Sequence, residues 1–492
     1  MLCGSCTEKR APSSNAPTMS ESGSGPASSA PLQESTAKMP LKDLGARVVG
    51  WLKAGENGKV RALFDEAMSK AVPTDEAVAQ MWSGIESKVG KFQDVIETTE
   101  SEKSGYQIVL TTCRFEHSPM DVKMVFDKQR HLAGFFIQQT QNANAFGPRP
   151  QTPKPPFAYD AREVSYDNAQ DKMHFAGTLT LPKGAGPFPA VLMITGSGTQ
   201  DRDETLFGHK PFLVIADRLT KAGFAVLRVD DPGAGGSTGD VKNATLEVHA
   251  RDAEAGLAFL KTQKEIDPRR LGLIGHSEGG IIAAMVASRD ADVAFVVSLA
   301  GTGLSGAEIN PLQVEAILRA SGKMKDEGIR AIVDAQRKLM KLVAKDAGDK
   351  ELEAAVREAF AVASKYAASE EEKQATQAEL ATSLETLNTP WFKSFVKLDP
   401  SAYWSKVTVP VLAMIGEKDT QVPADANLAA IRVALGKAKN ADIDTEKLAG
   451  LNHLFQPAQT GLLEEYGKIE ITFDDKALDL MTEWLKTHTK GK

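Results

Sequence analysis

The segment Leu271-Gly272-Leu273-Ile274-Gly275-His276-Ser277-Glu278-Gly279-Gly280 carries G-x-S-x-G between one apolar run and another, residues 281–287. A serine between a buried strand and a helix must sit in a tight, strained turn that presents its hydroxyl, and Gly275 and Gly279 keep side chains out of that turn. Ser277 is therefore the candidate nucleophile. A serine hydroxyl is weak by itself and needs a general base that an acid orients. In a strand–turn–helix setting of this kind the acid precedes the base along the chain. After Ser277 the histidines are His453 and His488. His453 stands in Gly450-Leu451-Asn452-His453-Leu454-Phe455, just past an expected strand at 443–448, where a base belongs; His488 lies in the charged tail and is expected to be solvated. The acid should follow the expected strand at 409–415, in Gly416-Glu417-Lys418-Asp419-Thr420-Gln421-Val422-Pro423. Asp419 and Glu417 compete there, and Asp419, deeper in the loop, is favoured. Two backbone donors must stabilise the oxyanion. The N–H of Glu278 is one, at the start of a helix whose free N–H groups suit an anion. The other comes from Gly196-Ser197-Gly198-Thr199-Gln200-Asp201-Arg202-Asp203, with Ser197 favoured and Gly198 its alternative. Asp201, Arg202, Asp203 and Glu204 are expected to pin this loop, and His209 to lie at the surface, with the edge of the cleft as its alternative.

These residues need a scaffold. Short apolar runs at 190–195, 225–229, 271–275, 294–299 and 409–415 alternate with helical patterns such as 211–222 and 246–261. Fully apolar strands alternating with amphipathic helices imply an α/β fold, a mostly parallel sheet with helices on both faces. Segments 163–166 and 175–181 alternate and are expected to form an antiparallel edge. The interval between Ser277 and Asp419 is long for one strand–helix–strand step. Its excess, about 304–395, is rich in Ala, Glu, Lys and Leu and predicts an inserted helical cap that excludes water and selects substrates; the alternative is a solvated helical excursion. Upstream, Pro148, Pro150, Pro153, Pro155 and Pro156 mark a stiff linker over 142–156. It separates a large C-terminal region, 157–492, from a small domain at 38–141. In that domain Leu44, Val48, Trp51 and Leu52 recur at helical spacing, and Thr74 predicts a helix start. Tyr106, Ile108 and Leu110, then Val122, Met124 and Phe126, alternate as in strands, and a turn at 127–129 leads into a further strand. The pattern predicts a small α+β domain; His117 and His131 are isolated, and Cys113 is expected to be a small buried hydrophobe. Residues 1–37, rich in Ser, Pro, Ala and Gly, are expected to be disordered.

Composition excludes several functions. The 492 residues carry a net charge of -7, so no basic face for nucleic acid is expected. No apolar run approaches the roughly 18 residues of a transmembrane helix. Three cysteines cannot build a disulfide framework. Residues 301–306 match G-x-G-x-x-G, but the second strand ending in an acid that a dinucleotide site requires does not follow, and no H-E-x-x-H occurs. No cofactor and no metal are expected. Cys3 and Cys6 form a C-x-x-C with no second pair.

With these motifs in order, the span 160–490 resembles the α/β-hydrolases, and among them the bacterial esterases and serine-aminopeptidase-like hydrolases. The 196–203 loop, Gly-His-Ser-Glu-Gly-Gly, Gly-Glu-Lys-Asp-Thr-Gln-Val-Pro and Gly-Leu-Asn-His-Leu-Phe carry the likeness, together with Asp230-Asp231-Pro232-Gly233-Ala234-Gly235-Gly236-Ser237. It implies nucleophile Ser277, acid Asp419, base His453 and oxyanion donors Ser197 and Glu278. Two departures concern the cleft: Thr195-Gly196 stands where the family has His-Gly, and Pro232 where it has Arg. The small domain resembles the domain of unknown function found ahead of such hydrolases, with a cystatin-like or NTF2-like look. The implied function is cleavage of carboxylic esters, with short acyl groups, through an acyl-enzyme. The alternatives are a peptidase using the same triad and a non-catalytic binding protein on the same scaffold. Gly4-Ser5-Cys6 resembles the end of a bacterial lipoprotein signal, which implies a lipid anchor at Cys6 and a cell-envelope or periplasmic location; without it the expectation is cytoplasmic.

Overall fold

The computed structural model describes residues 38–490, apart from 104, 141, 143–144, 240–243, 368–372, 374–375, 377–379 and 381–382. The tail at 1–37, with Cys3 and the Cys6 anchor, lies outside the described residues. Two compact units divide between Gly147 and Pro148.

In the first unit, helices α1 (Leu41–Ala54) and α2 (Asp75–Val89) precede an antiparallel four-stranded sheet. Its strands run in sequence order: β1 (Phe92–Lys103), β2 (Tyr106–Phe115), β3 (Met120–Phe126) and β4 (Leu132–Gln139). Leu44, Val48 and Leu52 face inward from α1, as their spacing requires, and the Thr74 hydroxyl accepts from Ala77 N–H to cap α2. Val122, Met124 and Phe126 are fully buried, as expected. The face of β2 is not the one read from sequence. Tyr106 is exposed, and the inward set is Val109, Thr111, Cys113 and Phe115, while Thr112 on the other face is buried and bonded to Asp121. Val109 pairs with Met124 and Thr111 with Val122, so register with β3 turns the odd-numbered residues inward. In the run Ile108-Val109-Leu110 either parity is apolar, and a one-residue slip exchanges the faces. Burial, with Asp121 and Asp94 nearby, raises the Cys113 thiol to about 12, as befits an inert core residue. His131 pairs with Asp127 at its own turn.

The second unit holds an eight-stranded sheet in the order β12-β11-β10-β9-β7-β8-β6-β5. Its strands are β5 (Asp160–Asn168), β6 (Met173–Leu181), β7 (Phe188–Ile194), β8 (Ala225–Val229), β9 (Ile266–His276), β10 (Val293–Leu299), β11 (Val411–Gly416) and β12 (Ile443–Leu448). From β8 to β12 every neighbour is parallel, while β5 and β6 form the antiparallel edge that their alternation predicts. One face packs against α4 (Leu246–Lys261), α5 (Glu278–Ala287) and α10 (Ala424–Lys437) through Leu257, Ile281 and Ile431. The other packs against α3 (Pro211–Lys221) and α11 (Asp475–His488) through Phe212, Ile215, Met481 and Leu485. Burial on both faces explains why β9, β10 and β11 read as unbroken apolar runs.

Between β10 and β11 the chain makes a helical excursion: α6 (Gly306–Ser321), α7 (Asp326–Ala344), α8 (Asp349–Lys365) and α9 (Pro390–Lys397). Leu339, Met340 and Val343 of α7 meet Val356 and Phe360 of α8 and Phe392 of α9, giving the excursion an apolar core of its own. Among the described residues no helix is long and apolar enough to cross a membrane.

Candidate active site

Strand β9 ends at His276 and α5 begins at Glu278, leaving Ser277 between them at φ 54, ψ -116. Positive φ in a non-glycine residue costs on the order of 1–3 kcal/mol and persists only where the surroundings enforce it. Here Ser277 N–H donates to Leu299 O at 2.8 Å, and Gly280 N–H to Ser277 O at 3.0 Å. The flanking glycines are required by close approach. A Cβ on Gly275 would overlap the Gly279 carbonyl, and one on Gly279 would overlap Ile194 O and lie 2.6 Å from Thr195 O. Those neighbours are backbone and cannot swing away. Gly279→Ala is therefore expected to lower stability by about 1–3 kcal/mol or more, read as a fall in the urea midpoint. Gly436→Ala, at an exposed site of α10 with nothing near its missing Cβ, should instead be neutral or stabilising by up to about 1 kcal/mol. Equal effects of the two would show that the turn is not sterically tight.

His453 follows β12 in a loop that Asn452 folds: its Oδ1 accepts from Leu454 N–H (3.0 Å) and Gln456 N–H (2.9 Å). A Cβ on Gly416, at the end of β11, would stand 2.6 Å from Asn452 O, so the loops after β11 and β12 touch. Asp419 Oδ2 meets His453 Nδ1 at 2.8 Å, and both residues are 4% exposed. The other carboxylate oxygen, Oδ1, accepts from the N–H groups of Gln421 (2.8 Å) and Val422 (2.7 Å). Glu417, the competing acid, is exposed and accepts from Gly450 N–H at 2.9 Å, holding the turn before His453. His453 is joined to the serine turn through His276, whose Nε2 donates to His453 O at 3.0 Å and whose ring centroid lies 4.8 Å from that of His453.

The loop after β7 reaches the same place. A Cβ on Gly196 would lie 3.3 Å from Ser277 Cβ. Ser197 O accepts from Gln200 Nε2 at 3.4 Å, and Gly198 has φ 96. Thr195, where the family pattern has histidine, donates its hydroxyl to Asp231 at 2.6 Å, and the other Asp231 oxygen takes Gln200 N–H at 2.9 Å. Arg202 grips Asp230 through Nε (3.1 Å) and Nη2 (2.7 Å). Burial pushes the Asp230 carboxyl up, but the Arg202 donors prevail and hold it below its usual range. The acidic stretch therefore pins the loop, as expected. Glu204 does more: it is 1% exposed, and its Oε1 accepts from Gly196 N–H at 2.8 Å and meets His276 Nδ1 at 2.9 Å.

Glu278 is buried, and its Oε2 accepts from Trp391 Nε1–H of α9 at 2.8 Å. Burial raises this carboxyl to about 7 against the lowering effect of the indole bond. With Thr195, Gly196, Gly198, Asp231 and Ile282, Glu278 lines a cavity of about 60 Å³. Neither the Glu204–His276 contact nor the Trp391–Glu278 bond was legible in sequence, because no local pattern marks partners this far apart along the chain.

Two histidines depart from expectation. His209 is fully buried, neither at the surface nor at the cleft, with Nδ1 on Thr472 Oγ1 and Nε2 on Tyr466 O, each at 3.0 Å. Burial lowers it to about 4, so it is a neutral core residue. His488 is only partly exposed; it stacks on Trp484 at 4.1 Å and bonds to Asp442. With Asp442 and Asp444 it forms the described group that could hold a metal, at the opposite end of β12 from His453. Its atoms are engaged within the protein: Nδ1 with Trp484 O, Nε2 with Asp442, and Asp444 with the Trp484 indole. In the glycine run after β10, Thr302 Oγ1 and Gly303 N–H both bond to Asn427 Oδ1, tying that loop to α10.

The profile of the X-Pro dipeptidyl-peptidase (S15) family matches residues 171–433, more than half of the chain. That of a family of proteins of unknown function, DUF3887, matches 46–135. Esterase EstD of Thermotoga maritima is 26% identical over 228 residues, covering 45% of this chain and 51% of the relative. The putative hydrolase YtaP of Bacillus subtilis is 29% identical over 133 residues, covering 24% and 44%. The chain thus spans about half the length of the curated relatives it matches. Among solved structures, a Pyrococcus furiosus esterase gives a TM-score of 0.42 at 14% identity, covering 67% of this chain and 92% of that one. The α/β hydrolase GrgF from Penicillium gives 0.40 at 17%, covering 68% and 100%.

Proposed function

The chain belongs to the X-Pro dipeptidyl-peptidase (S15) family, and on that premise we propose that it is a serine hydrolase cleaving carboxylic esters of short acyl groups through an acyl-enzyme. The observation that carries the reading is the buried Asp419–His453 contact, at 2.8 Å, on a loop bonded to the residue before Ser277. In this mechanism His453 Nε2 takes the proton of Ser277 as its Oγ attacks the ester carbonyl. Asp419 holds the Nδ1–H and stabilises the imidazolium that forms. The oxyanion is met by Glu278 N–H and by Ser197 N–H or its neighbour at Gly198. His453 then gives its proton to the leaving alcohol as the C–O bond breaks. Water, activated by the same histidine, hydrolyses the acyl-serine and releases the carboxylic acid.

The helices between β10 and β11 act in this reading as a cap that shapes the acyl site, supported by the Trp391–Glu278 bond beside the serine. A second reading, a peptidase with the same triad, is favoured by the name of the matching family. A fluorophosphonate should form one adduct, on the peptide bearing Ser277, and turnover of 4-nitrophenyl acetate or butyrate should exceed that of aminoacyl anilides. The opposite preference would favour the peptidase. A chain that takes no label would be a binding protein on a hydrolase scaffold.

A further inference from the structure

We propose that Glu204 and His276 form a buried positioning pair that locks the loop carrying Gly196 and the loop carrying His453 onto the two sides of Ser277. The proposal rests on the serine-hydrolase reading above and adds two residues to it, neither of which touches substrate.

His453 O is a carbonyl and only accepts, so His276 Nε2, 3.0 Å away, must carry hydrogen. His276 Nδ1 faces Glu204 Oε1 at 2.9 Å, and the same oxygen accepts from Gly196 N–H at 2.8 Å. With Glu204 ionised, both nitrogens of His276 donate and the ring is an imidazolium. Burial opposes that charge, but Glu204 outweighs it and raises His276 above its usual value. The three links form one chain, from Gly196 N–H through the carboxylate and the imidazole to the main chain of His453. Asp419 holds the side chain of His453 while His276 holds its backbone, so the proposed base is fixed at both ends.

The protein accepts unfavourable features to keep this chain. Glu204 has φ 52. Its turn is held by Asp201 Oδ1, which accepts from Asp203 N–H (3.0 Å) and Thr205 N–H (2.9 Å). Glu204 Oε2 is buried with no hydrogen-bond partner, so Gly196 and His276 carry the whole compensation of its charge. Among the described residues, other charged or titratable groups around the chain include Asp419 and Tyr466 on the His453 side and Asp231 and Glu278 on the Glu204 side.

The test separates the two links in the full-length protein. In His276→Asn the side-chain amide can replace Nδ1 toward Glu204 but cannot reach His453 O. In His276→Gln it can replace Nε2 toward His453 O but loses Glu204. Glu204→Gln keeps an acceptor for Gly196 N–H and removes the charge. Each should lower kcat on 4-nitrophenyl butyrate by about 10²-fold, the effect of misplacing reacting groups by about 1 Å, with little change in KM. The double variant Glu204→Gln, His276→Asn should be no slower than the worse single one, as residues acting as a unit are non-additive. In His276→Asn the positive charge nearest the His453 ring, 4.8 Å away between centroids, is lost. The His453 imidazolium is then favoured, and the acid limb of the kcat profile should move to higher pH. Rates are normalised to sites titrated by fluorophosphonate, so loss of folded protein does not count as loss of positioning. Full kcat per titrated site with an unmoved pH limb, whatever the fall in stability, would overturn the pair; so would multiplying effects in the double variant. A wild-type chain that takes no label on Ser277 would instead remove the serine-hydrolase reading.

Discussion

Ser277→Ala should reduce kcat for ester hydrolysis by about 10⁵–10⁶-fold and abolish fluorophosphonate labelling, while leaving the fold intact. The loss is large because the hydroxyl is the atom that becomes acylated, and a methyl group offers no second route to the intermediate. The fold survives because the hydrogen bonds that hold this turn, to Leu299 O and from Gly280 N–H, belong to the main chain. Alanine at φ 54 keeps the same Cβ and adds no strain. The urea midpoint should therefore correspond to a change within about 0.5 kcal/mol. Residual activity of the order expected from oxyanion donors and binding alone, about 10³-fold over water, would remain. Unchanged hydrolysis with unchanged labelling would mean that another residue is the nucleophile.

Asp419→Asn should cost about 10⁴-fold in kcat with KM nearly unaffected, because it leaves the shape and changes the tautomer. The carboxylate receives His453 Nδ1–H at 2.8 Å. An asparagine amide in that place donates instead, forcing Nδ1 to accept and putting the proton on Nε2, the atom that must take the serine proton. Its Oδ1 can still accept from Gln421 and Val422 N–H, so the loop keeps its conformation. Glu417→Gln is the matched control. Glu417 is exposed and engages Gly450 N–H, an acceptor role that glutamine retains, so kcat should be unchanged. Parallel losses in the two variants would show that the acid was misassigned.

The candidate site was legible in part, and the physical reason differs from residue to residue. The serine turn announces itself because its demands are local: a buried strand, two positions where a Cβ meets backbone, and an apolar helix, all within some twenty residues. His453 stands out because only two histidines follow Ser277 and it lies just beyond a strand. The burial of His209 has no local signature, because its partners, Thr472 and Tyr466, lie far along the chain. On β2 both parities offered apolar residues, so alternation alone could not choose the inward face; pairing Val109 with Met124 chose it.

By itself, the sequence determined the alternation of buried strands and amphipathic helices, the antiparallel edge, the helical excursion between β10 and β11, and the position of the serine turn. All of these follow from short-range sterics and from the period of apolar residues, which act over a few neighbours. Only the tertiary structure decided that Asp419 rather than Glu417 meets His453, that Thr195 ties its loop to Asp231, and that Trp391 reaches Glu278. It alone joined Glu204, His276 and His453 into one chain. Those contacts depend on which strand lies beside which and on how far each loop projects past the sheet. Such distances are set when the whole hydrophobic core is closed, and no local stretch of residues carries them.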